Sequence, residues 1–201
     1  MPHFVSNRDE TVRLFKNPIL EYFSHIHPAT PIMVYVPTVA FCAYTAATLH
    51  GAGATALLFA AGVLLWTLFE YVLHRWAFHY QPKTYLGKKA HFLVHGIHHD
   101  YPRDRTRLVM PLTVSVPLAV IIFVALKSVM GTAAFGLFAG FILGYVVYDS
   151  IHYATHHFTM RSGIGKFLKE YHLRHHYHDD HTAYGVSSPL WDVVFGTKPK
   201  G

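Results

Sequence analysis

AGATALLFAAGVLLWTLFEYVLHRWAFH, residues 52–79, sets the reading of the whole chain. Up to Leu73 it carries a single charge, Glu70, close to its end. Between residues 56 and 66 no polar residue recurs at helical spacing, so a helix here is apolar on every side. Its length is close to the roughly 20 residues that cross a bilayer. Where the apolar run stops, two histidines follow, His74 and His79.

The same junction of apolar run and histidine recurs further along. His95-x2-His98-His99 comes before the next apolar run, and His152-x3-His156-His157 follows the one after it. His172-x2-His175-His176 lies in the C-terminal polar segment. Ten of the chain's 18 histidines fall in these four clusters, with His157 a spare eleventh. Neutral imidazole binds transition metals at neutral pH without first losing a proton. Four clusters, at spacings that put histidines on shared faces, point to a metal centre beside a membrane.

The composition agrees. Hydrophobic residues make up 52% and charged residues 14% of 201 positions, against about 25% charged in typical soluble domains. Cys42 is the sole cysteine, which excludes an intrachain disulfide and any cysteine-held zinc or iron–sulfur site. It reads as a small buried hydrophobe. The +6 formal charge is scattered over three polar segments without a basic repeat, so no nucleic-acid partner is expected. The first 21 residues are polar and mixed in charge, unlike a cleaved signal peptide.

Four stretches, 32–49, 52–73, 108–126 and 129–148, are expected to span the bilayer. Pro37 and Pro117 fall inside the first and third, where a membrane helix tolerates a kink. The turns at His50-Gly51 and Lys127-Ser128 are short, which predicts two antiparallel hairpins. All four histidine clusters then emerge on one side, together with 16 of the 17 lysines and arginines, Lys127 being the exception. The excess of positive charge places that side in the cytoplasm. The expected fold class is therefore all-α: an integral membrane protein with four transmembrane helices in two hairpins and a cytosolic helical cap holding a histidine-rich dimetal site. Residues 1–31 form a cytosolic N-terminal segment and 32–201 a single membrane-embedded domain. Core helices of a soluble bundle are the competing reading; they require polar stripes that residues 56–66 lack.

Residues three and four apart share a helix face, so His95, His98 and His99 are expected to aim at one point, as are His172, His175 and His176. His152 and His156 stack one turn apart. His74 and His79 diverge by about 140° on a regular α-helix, so they need a helix end between them or two separate metals. Ten imidazoles exceed what one ion can hold; about five on each of two ions is reasonable. Glu70 and Asp149 precede His74 and His152 by four and three residues, and each is expected to accept a hydrogen bond from its histidine's far nitrogen. His91, four before His95, is expected to support the site, with ligation as the alternative. His157, His178 and His181 are additional candidates as ligands or proton carriers. His3, His25, His27 and His50 read as ordinary surface or core histidines.

Taken together these residues resemble the membrane-bound fatty acid hydroxylase and sterol desaturase superfamily, and within it the fatty acid 2-hydroxylases. The narrower likeness rests on His91-Phe92-Leu93-Val94-His95-Gly96-Ile97-His98-His99 with Asp104-Arg105-Thr106-Arg107-Leu108-Val109-Met110-Pro111, on Tyr148-Asp149-Ser150-Ile151-His152-Tyr153, and on the string from Tyr184 through Trp191 and Asp192 to Thr197. It covers residues 18–197. The resemblance implies that His74, His79, His95, His98, His99, His152, His156, His172, His175 and His176 hold two iron ions, with zinc able to stand in for them in purified protein. It implies O2 as co-substrate, a lipid acyl chain as substrate and an external electron donor, whether cytochrome b5, ferredoxin or a reductase. The N-terminal cytochrome b5 domain that eukaryotic members often carry is absent from these 201 residues, and the compact form looks bacterial. An inner-membrane location follows, or the endoplasmic reticulum in a eukaryote.

Asp104, Arg105 and Arg107 are candidates for holding a substrate head group near the membrane surface, with plain interfacial charge as the alternative. Tyr148 and Trp191 read as lipid-cavity or cap-packing residues, with packing the preferred role. No Ser-His-Asp arrangement suggests a covalent nucleophile. Rival readings are a sterol or carotenoid oxygenase on the same scaffold, a metal transporter, and a non-enzymatic membrane metal-binding subunit. The transporter needs polar ligands within the spans, which are nearly free of them. Oligomeric state is left open by the sequence.

Overall fold

The computed structural model describes residues 4–199, so His3 lies outside the described residues. Among them every regular element is helical: α1 (Pro18–Phe23), α2 (Thr30–Val72), α3 (Tyr85–His91), α4 (Ile97–Asp100), α5 (Leu112–Met130), α6 (Ala134–His157), α7 (Gly163–Tyr177) and α8 (Leu190–Val194). Two short π-helices, Leu73–Phe78 and Phe92–Gly96, and a 3₁₀ turn at Gly131–Ala133 join neighbours.

The chain divides into two compact units. One comprises Arg13–Trp66 and Val109–Asp149. Here α2 is two arms meeting at Gly51, whose φ of 78° and ψ of 163° break the helix. Glycine reaches this backbone without the steric cost other residues meet. The arms fold back on each other: the Cβ atoms of Ala46 and Leu58 both lie within 3.5 Å of one point beside Gly136. Twelve residues of unbroken helix would separate them by about 18 Å. The expected turn at His50-Gly51 is thus observed. Pro37 and Pro117 sit within continuing helices, as expected.

The second turn falls later than expected. Lys127 and Ser128 continue α5, and Ser128 Oγ donates back to the Ala125 carbonyl at 2.8 Å. The chain reverses at Gly131, where φ is 59°. The start of α5 also shifts from residue 108 to Leu112, after Pro111, because proline fixes an extended approach and suits a helix start. Phe123 packs against Phe135 and Phe138, at 5.2 and 5.0 Å between ring centroids, across this turn.

Close packing rather than polar contact holds this unit. A Cβ at Gly140 would lie 1.9 Å from the Phe59 carbonyl oxygen, so only glycine permits that approach. Small residues let membrane helices approach backbone to backbone where no hydrophobic effect drives them together. Trp66 packs on Phe141 and Tyr145, and Tyr35 donates to Ser115 Oγ at 2.8 Å. Two long helical stretches, Thr30–Phe78 and Leu112–His157, are apolar enough to cross a membrane. Only 22% and 11% of their most apolar windows are buried inside the protein. Core helices of a soluble bundle would be mostly buried, so these surfaces need lipid rather than water.

The other unit comprises the described residues of Met1–Val12, Thr67–Leu108 and Ser150–Gly201. It contains all ten clustered histidines. The N-terminal segment is bound into it: the amides of Val5 and Ser6 both donate to the Asp100 carbonyl at 3.1 Å.

Candidate metal centre

The ten histidines form two groups of five. His74, His79, His95, His99 and His175 make the first, and His98, His152, His156, His172 and His176 the second. Within each group the five candidate ligand atoms lie within 4.8 Å of one another. The second group is buried throughout, whereas His79 and His99 of the first are partly exposed.

Local backbone geometry explains the sorting. His74 and His79 belong together because Leu73–Phe78 is π-helical. Its i→i+5 bonding turns residues five apart toward one face, and the helix ends at Phe78, so the expected helix end does lie between them and no second metal is required. The expected convergence of each His-x2-His-His trio on a single point is not what the fold makes. Adjacent residues are turned by about 100°, so the last two histidines of a trio diverge while first and third stay aligned. His95 and His99 enter group one and His98 group two; His172 and His176 enter group two and His175 group one. Each trio gives two rings to one group and one to the other, with the sense reversed between them.

The nitrogens face inward. His98 Nε2 lies 2.9 Å from His152 Nε2 and 3.0 Å from His176 Nε2. His172 Nε2 lies 2.9 Å from His156 Nε2 and 3.0 Å from His176 Nε2. In group one, His95 and His99 approach to 2.9 Å and His79 and His175 to 3.0 Å through the same atoms. A neutral ring nitrogen offers a proton or a lone pair, never both, so such chains of contacts make poor hydrogen bonds. They suit a shared cation. With metal–nitrogen bonds of 2.0–2.1 Å, ligands at right angles sit about 2.9 Å apart and tetrahedral ligands about 3.4 Å apart. The observed edges are short enough for neighbouring nitrogens to share one cation. The residues present therefore fit two transition-metal ions.

Tautomers are fixed from outside the first group. His74 Nδ1 is 2.5 Å from the Tyr184 carbonyl and His175 Nδ1 2.6 Å from the Thr182 carbonyl. A carbonyl only accepts, so both rings carry their proton on Nδ1 and present a lone pair at Nε2. The buried Nε2 of His74 has no hydrogen-bond partner. Burial, reinforced by neighbouring rings, holds His95, His98, His172 and His176 well below the usual histidine pKa. Burial lowers His79 to about 3. All are neutral near pH 7, the state in which imidazole binds a cation.

Glu70 does not meet His74. Its Oε1 accepts from the amides of Val186 and Ser187 at 2.7 and 2.8 Å, and its Oε2 from Ser187 Oγ. The His74 partner is the Tyr184 carbonyl, so Glu70 acts one step away by fixing the loop that carries it. Asp192, fully buried, holds the same loop: Oδ1 accepts from the Tyr184 amide at 2.9 Å and Oδ2 from the Gly185 amide at 2.8 Å. Tyr184 also packs its ring within 5.5–5.7 Å of His74, His79 and His175. The sequence reading gave Tyr184, Thr182 and Asp192 no role. Asp192 left one trace, a lone carboxylate in an apolar string. The carbonyls left none, because every residue has one.

The head-group candidates change as well. Asp104 and Arg107 are buried and bind each other at 3.0 Å. Asp104 Oδ1 accepts from Thr11 Oγ1 at 2.9 Å and Arg107 donates to the Val12 carbonyl at 2.6 Å. They clamp the N-terminal segment, so the hydrogen bonds seen for both side chains are made within the protein. Arg105 is exposed and paired with Asp9. Asp149 is buried and faces Tyr145. His91, His157, His178 and His181 lie outside both groups, as do His25, His27 and His50. His157 stacks on Tyr153 at 4.4 Å. Trp191 donates to Thr67 Oγ1 at 3.0 Å and Tyr148 packs against Trp66 at 5.8 Å.

Comparison with known proteins agrees with this geometry. The profile of the fatty acid hydroxylase family matches residues 59–197. A dihydroceramide fatty acyl 2-hydroxylase of Arabidopsis thaliana is 45% identical over 139 residues, covering 69% of this chain and 59% of that protein. A ceramide very long chain fatty acid hydroxylase of Saccharomyces cerevisiae is 44% identical over 147 residues, covering 70% and 37% respectively. The chain thus spans less than two thirds of either relative. The solved structure of full-length Scs7p, in which only the hydroxylase domain is visible, superposes with a TM-score of 0.86 at 36% identity. That match covers 93% of this chain and 72% of the other.

Proposed function

Because the chain belongs to the fatty acid hydroxylase family, we propose that it hydroxylates carbon 2 of a lipid acyl chain, free or sphingolipid-linked, using O2 and electrons from a separate donor. The observation that carries this reading is the pair of five-histidine groups with converging Nε2 atoms. The ten histidines would hold two iron ions, which supply the redox chemistry for activating O2 and breaking an unactivated C–H bond. Zinc would fit the same nitrogens but has no redox chemistry.

The chain's own part is to bind, orient and shield. His74 and His175 keep their lone pairs aimed inward through the Tyr184 and Thr182 carbonyls. The buried second group excludes water from one side of the site. The half-open side, at His79 and His99, is where an acyl chain would approach. Four crossings, by the two arms of α2 and by α5 and α6, put the histidine segments on the cytoplasmic side, consistent with the distribution of lysine and arginine. Residues 32–201 then act as one hydroxylase domain.

The test is lipid mass spectrometry on cells with and without the chain, fed a labelled fatty acid under 18-oxygen gas. Label at carbon 2 is the expected result. Its absence, with oxygen entering a sterol or carotenoid instead, overturns the substrate assignment.

A further inference from the structure

Outside the histidine groups, the segment that carries His79 and His95 exposes a run of apolar side chains. Trp76, Tyr80, Tyr85, Leu86, Leu93 and Val94 are all exposed, Tyr85 and Leu86 to 75% and 76%. At about 100° per residue, Tyr85, Leu86, Lys89, Phe92 and Leu93 fall on one side of α3 and its π-helical continuation. Lys89 Nζ rests 4.5 Å from the Tyr85 ring centre. The opposite side carries His91 and His95, the latter buried in group one. An exposed apolar face of this size needs a partner.

Charge identifies that partner. Arg75, Lys83, Lys88 and Lys89 lie in this stretch, and no aspartate or glutamate occurs from Tyr71 to His99. The segment follows directly on the membrane-capable helix that ends at Phe78. Tryptophan and tyrosine prefer the level of lipid head groups, and a short helix with an apolar face lies in that layer without crossing it, its lysines reaching the phosphates along their own aliphatic stems.

We propose that residues 76–94 form an interfacial anchor seated in the head-group layer of an anionic leaflet, with Tyr85, Leu86, Phe92 and Leu93 toward the acyl chains and Lys83, Lys88 and Lys89 among the phosphates. The geometry does not depend on the proposed reaction; its purpose does. Seating the helix by its outer face brings group one, held on its inner face, to the depth where an acyl chain begins. Lipid seating thus becomes a positioning device for substrate entry.

Cys42 is buried and is the chain's sole cysteine, so a Cys42→Ala background allows single labels. A fluorophore would be placed on Leu86→Cys, on Leu93→Cys and, as the aqueous control, on Glu170→Cys of α7, with the full chain in bilayers. Labels at 86 and 93 should be quenched by lipids brominated near the head of the acyl chain and protected from iodide, with the reverse at 170. The quenching should be stronger with phosphatidylglycerol than with phosphatidylcholine alone. Each of Lys88→Glu and Lys89→Glu should lower the seated-to-free ratio by at least roughly fivefold in anionic bilayers. Iodide access at 86 and 93 equal to that at 170 overturns the proposal. Protection from both quenchers also overturns it, in favour of a protein partner, and indifference to anionic lipid removes the role of the lysines. Metal-free protein serves equally well, so failure of acyl hydroxylation leaves these readouts unchanged.

Discussion

The two histidine groups are built from the same side chain and nearly the same spacings, yet they are held in different ways. Group two is closed: all five rings are buried and are carried on α4, α6 and α7. Group one is half open, and two of its rings are oriented by carbonyls of the 182–187 loop, itself pinned by Glu70 and Asp192. The difference separates rigidity from access. A buried group carried on helices admits little, while a loop-held group is reachable and depends on distant residues for its aim.

The strongest way to break this comparison is to remove a ring. His176→Ala takes out the nitrogen that meets both His98 and His172. It should abolish the proposed acyl hydroxylation and lower bound metal by one ion per chain, read by elemental analysis, while membrane insertion persists. Glu70→Gln comes next. Its loss of charge loosens the loop behind His74, and supporting residues of this kind typically change metal affinity about 10–100-fold. The loss should be confined to group one, so metal stoichiometry in a chelator series should fall from two toward one before the second ion leaves. Equal loss of both ions would erase the distinction between the groups.

Asp192→Asn should destabilise the loop by roughly 1.5–3 kcal/mol, the usual worth of hydrogen bonds to a charged acceptor. Thermal unfolding and the rate of chelator removal from group one both report it. A fourth test uses acid. Burial lowers His79 from 6.5 to about 3, so the unfolded chain takes up a proton below pH 6.5 that the folded metal-free chain refuses until near pH 3. The contribution of this ring to the stability of the metal-free protein is therefore full above pH 6.5 and is lost progressively below it. A melting temperature that rises on acidification would contradict this burial. The smallest effect on the site comes from the other unit. Gly140→Ala forces a methyl group against the Phe59 carbonyl and should lower thermal stability, with metal content per folded chain unchanged.

Legibility followed the range of each signal. The apolar runs, the Gly51 reversal and all ten histidines could be read because hydropathy and residue chemistry are local. The Lys127-Ser128 turn was misplaced because polarity suggested a break, whereas helix termination depended on the backbone freedom of Gly131 three residues later. Asp104 and Arg107 looked available because nothing in their own segment shows that Thr11 and Val12, from the far N-terminus, occupy them.

By itself the sequence determined which chemistry is present: ten neutral nitrogen donors beside apolar helices, with no thiolate set and no covalent nucleophile. Only the tertiary structure decided how those donors divide, since a π-turn joins His74 to His79 and a rotation of about 100° parts His98 from His99. It also decided which lone pairs point inward, because the orienting groups are backbone carbonyls that no residue type announces. Identity is written in side chains; aim depends on where distant backbone comes to rest.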